Sequence, residues 1–452
     1  MMATVFFVAL AQQPSPPPAH ADTGRGRPCK VVIDSVGRQA QQVEVRAGET
    51  NVFAGGGVLA HCDGTGTTLS ADSVAWFAGV KRFDMMGQRN IVHIRDTTLT
   101  LDATTATYYL NQERLEAHRN VVAVNRVTGS VLRGPNLTYY RAVPGIRDTI
   151  EMYSSGRPTI DYHATVDSGE PYVIVADRVR LKGNDRMWGG GRVTIDRSDF
   201  AAQGDSMQLD QPAGFGVLVG KPAVEGKGAR AYRLTGTRIE LGLAGREVKR
   251  VKALGNGVAT GADWRLTADT IDLNLDRGKL QRAFAWGPKD SVKARAVSAT
   301  NTIRSDSLAV DLPDEVLTEV RAFGHALSTM KKDSITKAET DWIAGDSLTA
   351  RWAQVPDSAG TPRSKLHLVI SRNNARALTH TQSEHDTAGP SINYSRGQLI
   401  RVVMKGEKVD TVTVTGHADG VQLDHKPPAP PDTSKHPKTP PASPPPPPTP
   451  HP

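Results

Sequence analysis

The stretch LTADTIDL, residues 266–273, decides the fold of this chain. Apolar and polar residues alternate on both sides of Asp269, which is the pattern of a strand with one buried face. The alternation slips by one residue at Asp269-Thr270. The two halves therefore share a buried face only if the chain bends or bulges between them, and Asp and Thr suit such a corner because they hydrogen-bond the local backbone.

The same pattern, apolar-x-small-Asp-Ser/Thr-apolar-x-apolar, recurs along the chain in strict and looser copies. These begin at Leu69, Leu99, Leu132, Ile174, Ala202, Leu234, Leu266, Ile303 and Ile343. The spacing is about 30 to 40 residues, so the sequence predicts an internal repeat of about nine units.

A second signal recurs toward the end of several units. A Gly followed by Asn or His occurs in residues 254–258, 323–326 and 415–418. This pair fits a tight turn or a bulge that leads into the next strand. Each unit is therefore predicted to contribute two or three short antiparallel strands.

The architecture predicted from these patterns is all-β. Aromatic residues make up 5% of the 452 residues, and helical periodicity does not persist beyond about two turns. Stacked units of this kind form either a closed β-solenoid or an open, folded-over sheet with an apolar interior. A solenoid packs its inward side chains against one another, whereas an open sheet leaves an apolar trough that another molecule fills.

The two ends of the chain differ from its body. The apolar stretch 3–11 ends in a small-x-small triplet and resembles the end of a secretory signal peptide, and a Pro-rich leader follows up to residue 28. Of the 30 prolines, 14 lie between Pro427 and Pro452, so residues 426–452 are predicted to form a disordered or polyproline tail. Cys29 and Cys62, the only cysteines, are expected to form a disulfide, with two buried free thiols as the alternative.

Composition disfavours several classes of protein. No apolar run approaches the roughly 20 residues of a transmembrane helix. Lys and Arg are scattered among acids at a net charge of +8, so a nucleic-acid partner is not expected. Neither a metal-binding motif nor a cofactor motif occurs, so we expect no metal and no cofactor.

An enzymatic role is not expected either. Residues 345–348, Gly-Asp-Ser-Leu, match the nucleophile motif of one esterase family, and residues 204–206 begin the same way. Both stretches are in register with the repeat, which already explains them. A nucleophilic Ser also needs a His base with a carboxylate partner, and no His in this chain has an Asp three residues earlier.

The repeat, with its Ala-Asp-Ser or Ala-Asp-Thr step and its terminal Gly-Asn or Gly-His, resembles the OstA/LptA family of lipopolysaccharide-transport proteins. The resemblance extends over most of residues 29–425. It implies a repetitive antiparallel β-jellyroll, a folded-over "β-taco", with one segment at 29–225 and a second at 226–425. It also implies a periplasmic location and a bridge to the outer membrane, in which the apolar interior carries lipopolysaccharide acyl chains.

The resemblance further implies partners and a site. The partners would be lipopolysaccharide and other proteins of the transport bridge, paired through edge strands, with a homo-oligomer as one such assembly. The lipid-groove candidates are inward positions of three copies of the repeat, and plain core packing is the alternative role for each. They are Leu69, Ala71, Val74, Trp76, Ile174, Ala176, Val179, Leu181, Leu266, Ala268, Ile271 and Leu273.

Two other functions fit the same composition. A secreted parallel β-helix that binds or processes polysaccharide would also be repetitive and all-β, although its coils usually repeat at shorter intervals. A structural surface protein could use the Pro-rich tail as a stalk.

Overall fold

The computed structural model describes residues 29–163, 169–228, 231–245, 247–287, 293–330, 340–356, 362–381, 391–406 and 408–424. The leader 1–28 and the tail 426–452 lie outside the described residues. Two short 3-10 helices, Leu110–Gln112 and Pro313–Glu315, are the only helical elements of the described chain. Neither of them is long and apolar enough to cross a membrane.

All remaining regular structure is β. The first strands are β1 (Lys30–Val36), β2 (Gln39–Arg46), β3 (Glu49–Asp63), β4 (Thr67–Phe77), β5 (Arg82–Met86), β6 (Val92–Arg95), β7 (Leu99–Ala103), β8 (Thr105–Tyr109), β9 (Arg114–Asn125), β10 (Val131–Tyr140), β11 (Glu151–Ser155), β12 (Thr159–Tyr162), β13 (Tyr172–Val175), β14 (Arg178–Lys182), β15 (Arg186–Asp196) and β16 (Phe200–Asp210). They are followed by β17 (Phe215–Val219), β18 (Ala223–Gly226), β19 (Tyr232–Thr235), β20 (Arg238–Ala244), β21 (Glu247–Thr260), β22 (Trp264–Asp276), β23 (Lys279–Trp286), β24 (Ala294–Ser298), β25 (Asn301–Ser305), β26 (Ser307–Asp311), β27 (Glu319–Met330), β28 (Trp342–Pro356), β29 (Pro362–Thr381), β30 (Ser391–Lys405), β31 (Lys408–Thr415) and β32 (Asp419–Leu423).

The predicted all-β, repetitive, antiparallel architecture is confirmed. Every strand pair whose register is described is antiparallel. The parallel β-helix considered above as a polysaccharide-binding protein is therefore wrong for this part of the chain, because its coils would pair in parallel.

Long strands divide the sheet of the first compact unit into two walls. The first half of β22 pairs with β24 and its second half pairs with β23, and β4, β10 and β16 divide in the same way. We call the part containing β6, β7, β12, β13, β18, β19 and β24 the first wall, and the part containing β5, β8, β11, β14, β17, β20, β23 and β26 the second wall. Each long strand crosses from one wall to the other through a corner at its middle.

The corners are built as the repeat predicted. Opposite Ala268 and Thr270, the register of β21 shifts between Leu254 and Gly257. The two residues in that gap, Gly255 and Asn256, have φ of +72° and +54°, the left-handed region that favours Gly and Asn. Successive left-handed residues also occur at Gly56-Gly57, Arg119-Asn120, Gly156-Arg157, Gly191-Arg192, Gly220-Lys221, Gly324-His325, Asn373-Asn374 and Gly416-His417.

Two of the motif Asp residues, Asp72 and Asp346, bind segments distant in sequence and not their own local backbone. The Asp72 carboxylate accepts hydrogen bonds of 2.5 to 2.9 Å from the backbone N–H groups of Gln88, Arg89 and Asn90. These bonds lower the pKa of Asp72 to about 2. Asp346 similarly accepts from the Asn374 side chain at 3.1 Å.

The expected division at residues 225/226 is wrong. One compact unit covers residues up to 299 together with 304–322, and the other covers 300–303 and the chain from 323 onward. The physical reason is pairing across the expected boundary, since β17 pairs with β20 and β18 pairs with β19. In the second unit β29 lies between β28 and β30, and the two halves of β30 pair with β31 and β32.

The structure joins Cys29 and Cys62 in a disulfide, the pair that the sequence indicated, with their Cα atoms 5.0 Å apart. Both cysteines are buried. Strand β1 pairs with β3 from Lys30 and Asp63 onward, so Cys29 lies just before the first pair of this register and Cys62 lies within it, opposite Val31. The disulfide therefore fixes the terminal strand to its neighbour.

Candidate functional site

The inner face of the second wall carries a continuous row of buried side chains. Strand pairing places one residue of each successive strand in this row: Ala54, Val74, Met85, Ala106, Ala117, Leu137, Ser154, Val179, Gly189, Met207, Leu218, Ile239, Ala253, Ile271, Ala285 and Leu308. Its one polar side chain is Ser154, whose hydroxyl donates to the Asn136 carbonyl at 2.6 Å. The row is therefore apolar from β3 to β26.

The first wall carries a matching row, and all of its members are apolar. They are Ala60, Leu69, Ile94, Leu101, Ala123, Leu132, Ile160, Ile174, Ile195, Ala202, Val224, Leu234, Ala259, Leu266 and Ala296. The two walls face each other, because one small cavity is lined by Ile174 and Ile195 of the first wall and by Met207 and Leu218 of the second.

The structure places all twelve candidate lipid-groove residues on these inner faces. Nine of them are buried: Ala71, Val74, Ile174, Ala176, Val179, Leu266, Ala268, Ile271 and Leu273. Leu69, Trp76 and Leu181 are half-buried. Because each long strand bends at its corner, the residues before and after each motif Asp face the same interior.

This interior is filled by its own side chains. Ile271 and Leu273 have no exposed surface. Two cavities between the walls measure about 60 and 40 Å³, whereas small-molecule sites are commonly about 300 to 1,000 Å³. Neither of these cavities is large enough for an acyl chain.

The walls meet at a second line, opposite the corners, where the hairpin turns of each wall lie. We call this line the seam. Asn125, at the end of β9 in the first wall, donates from its side chain to the Asn184 side chain in a turn of the second wall at 2.7 Å. The Tyr162 hydroxyl likewise donates to Gln211 at 2.6 Å across the seam.

A cleft of about 140 Å³ also lies on the seam. Arg197, Asp199 and Tyr232 line it from the first wall, and Glu247 and Arg277 line it from the second. The Tyr232 hydroxyl is buried and has no hydrogen-bond partner among the described residues. Burial raises the pKa of Tyr232, and it raises the pKa of Tyr162 to about 12, so both stay neutral at physiological pH.

A larger depression lies on the outer face of the second wall. Its volume is about 610 Å³, and six strands from β10 to β17 line it. Tyr153 and Trp188 flank Arg180, whose guanidinium carbon lies 5.4 Å from the first ring centroid and 5.2 Å from the second. Arg180 also forms an ion pair of 3.2 Å with Glu151.

The outermost strands at the two ends of the described chain remain open on one side. Among the described registers, β1 and β2 each pair with β3 alone, and β31 and β32 each pair with β30 alone. Every residue of β2 and every residue of β32 is exposed.

No family model matches this chain, and neither does any curated protein. Among the described residues, no group of three or more His, Cys, Asp or Glu side chains is placed to hold a metal ion.

Sequence reasoning did not identify the seam or the outer depression. The seam joins residues such as Asn125 and Asn184, whose approach depends on how the two walls close. The depression had a weak sequence signal, since Tyr153, Arg180 and Trp188 each occupy the outward positions of alternating strands.

Proposed function

We propose that the first unit binds the acyl chains of lipopolysaccharide between its two walls and passes them along a periplasmic bridge to the outer membrane. The observation that carries this proposal is the pair of facing apolar rows, which run through the unit with Ser154 as their one polar side chain. Each methylene transferred from water to such an interior gains about 0.8 kcal/mol. Equivalent contacts at every strand let a chain slide without meeting a polar barrier.

Entry of the lipid is assigned to the seam. The corners join the walls through the covalent chain, whereas Asn125–Asn184 and Tyr162–Gln211 are side-chain hydrogen bonds across the seam. Such bonds contribute about 0.5 to 1.5 kcal/mol each. Separation of the walls at this margin would expose the apolar rows while the corners hold the sheet together, and the sugar part of the lipid would stay in water.

Two further features support the cellular setting. A disulfide such as Cys29–Cys62 forms and persists in an oxidising compartment, and the bacterial periplasm is one. Open edge strands can pair with another chain, so β2 and β32 are suitable surfaces for neighbouring bridge proteins or for a second copy of this chain.

The proposal is tested by cross-linking the two walls across the seam. The double variant Asn125→Cys, Asn184→Cys puts one thiol on each side of the seam, at positions whose native side chains are hydrogen-bonded, and loss of both free thiols on oxidation verifies the cross-link. Purified protein is mixed with lipopolysaccharide micelles, and the bound lipid is measured by native mass spectrometry. We expect little uptake by the oxidised variant and restored uptake after reduction, because the walls separate only when the seam is free.

The matched control cross-links two strands within one wall and leaves the seam free. Gln208 and Val217 are directly paired on the outer side of β16 and β17, so Gln208→Cys, Val217→Cys links two strands of the second wall. This variant and the native protein under the same reductant should take up lipid normally. Equal uptake by the oxidised seam variant and this control would refute entry through the seam, and no uptake by any form would refute lipid binding.

A further inference from the structure

We infer that the depression on the outer face of the second wall is a binding site for an acidic oligosaccharide. The depression has a volume of about 610 Å³, within the range of about 300 to 1,000 Å³ common for ligand sites. Most of its lining belongs to the face opposite the apolar rows, because Trp188 and Gln208 point outward, and Ser154, Val179, Gly189 and Met207 of the inner row complete it. The aromatic rings and arginines of the depression are therefore distinct from the side chains of the apolar rows.

The surface of the depression carries the groups that recognise sugars. Tyr153 is 37% exposed and Trp188 is half-buried, so both present part of an aromatic ring to solvent. Aromatic rings of this kind pack against the C–H faces of pyranose rings. Hydroxyl and amide side chains surround them, contributed by Asn136, Thr138, Ser155, Ser206 and Gln208. These groups can donate hydrogen bonds to sugar hydroxyls and accept them.

The charge of the lining favours an anionic ligand. Arg178 and Arg180 line the depression, and its lining contains neither Asp nor Glu. Arg180 is held between the two aromatic rings and by Glu151 beneath. Among the described carboxylates, none forms an ion pair with Arg178, whose side chain extends over Gly190. A guanidinium in this position can bind a carboxylate or a phosphate with two parallel hydrogen bonds.

The length of the site favours a short chain of sugars. The lining extends over six adjacent strands, which at about 4.8 Å per strand span roughly 24 Å. Along the same outer row, Glu116 follows Thr138 on one side and Glu240 follows Val217 on the other. Each of these acids forms an ion pair with an arginine of its own strand, so these two positions add no uncompensated positive charge to the patch. A single-stranded nucleic acid would need a longer basic track.

The experiment uses trigalacturonic acid as the probe and follows the indole N–H signal of Trp188 by NMR in the full chain. We expect this signal to shift on titration. The fully methyl-esterified trimer, which lacks the charges, should bind roughly tenfold more weakly. Arg178→Gln should weaken binding of the acid by a similar factor while leaving the ester unaffected. Trp188→Ala removes the reporting indole and is followed by isothermal titration calorimetry instead, where it should abolish binding of both.

Phe284→Ala is the matched control. Phe284 lies on the outer side of the second wall with Arg282 over its ring at 5.8 Å, but outside the depression. This variant should bind the acid normally, and the oxidised seam variant should too, which separates this test from that of lipid entry. Absence of a shift, equal binding of acid and ester, or an equal loss in Phe284→Ala would overturn the inference. Tighter binding of an oligothymidylate than of the trimer would also overturn it, in favour of nucleic acid.

A sugar of this kind could be free or attached to a lipid. Lipid-free polysaccharide prepared by acid hydrolysis of lipopolysaccharide, added as a competitor, distinguishes the two sources. Displacement of trigalacturonic acid by this polysaccharide would support recognition of the sugar itself. Displacement by intact lipopolysaccharide alone would show that the lipid part is required and would contradict a sugar site.

Discussion

Replacing Ile271 by Ala tests whether the interior of the lipid-free protein is a packed core. Ile271 is completely buried, and the residues paired with it on the neighbouring strands are Ala253 and Ala285. A Cβ atom built on Gly257 would lie 3.0 Å from Ile271 Cγ1, so the isoleucine side chain occupies the space above that glycine. These three small neighbours cannot fill the space that the substitution leaves.

The expected cost follows from this geometry. Removal of a buried Ile side chain to Ala typically costs about 2 to 5 kcal/mol, and the upper half of that range applies where the surroundings cannot collapse. We therefore expect the free energy of opening β22 to fall by about 3 to 4 kcal/mol. At 1.4 kcal/mol for each tenfold change, amide exchange in β22 should become roughly 10²- to 10³-fold faster.

Hydrogen–deuterium exchange with mass spectrometry resolves this change by segment. Leu59→Ala is the control, because Leu59 lies on the outer side of β3 and is 54% exposed. Its effect should stay within about 0.5 kcal/mol. If Ile271→Ala altered exchange no more than Leu59→Ala does, the interior would not be packed, and the argument that lipid entry requires separation of the walls would fail.

Three further predictions concern the ends, the corners and the acid side chains. Replacing Cys29 and Cys62 by Ala should destabilise β1 against β3 by about 3 to 4 kcal/mol, seen as faster exchange in both strands, and unchanged exchange would contradict a stabilising disulfide. Gly255→Ala should cost about 1 to 3 kcal/mol, because φ is +72° and the new Cβ would lie 2.8 Å from the Thr237 hydroxyl; a urea midpoint equal to that of the native protein would contradict this. The pKa of Asp72 falls from 3.8 to about 2 on folding, so its stabilising effect is present above about pH 4 and is lost as pH falls through 2. An acid-stable protease should therefore cut residues 87–91 of the native protein at pH 2 but not at pH 4, and should cut Asp72→Ala at both; a native protein equally resistant at both values would refute the assignment.

The corners could be predicted from sequence because they are local. A one-residue slip in alternation at Asp269-Thr270 and the pair Gly255-Asn256 each report the backbone conformation of their own position. The inner faces followed from the same alternation. The partners of the motif Asp residues could not be predicted, since Asp72 binds a turn that follows a different strand.

The outer depression and the unit boundary depend on strand order, which alternation does not encode. Arg180 meets both Tyr153 and Trp188 because β14 lies between β11 and β15, while β12 and β13 belong to the other wall. The expected boundary at 225/226 failed for a related reason. The repeat continues through this point without a change in composition, so nothing local marks where one unit ends.

The order of pairing also has a consequence for how the chain folds. Every described strand finds its partners among strands a few positions away in sequence, and Trp342 with Leu378 is the most widely separated pair among those registers. Contacts between residues this close in sequence cost little loop-closure entropy. Each hairpin that forms also presents an edge strand with which the next hairpin can pair. The polypeptide can therefore fold progressively from its first strands while the later strands are still unpaired. Folding does not require the two ends of the chain to meet.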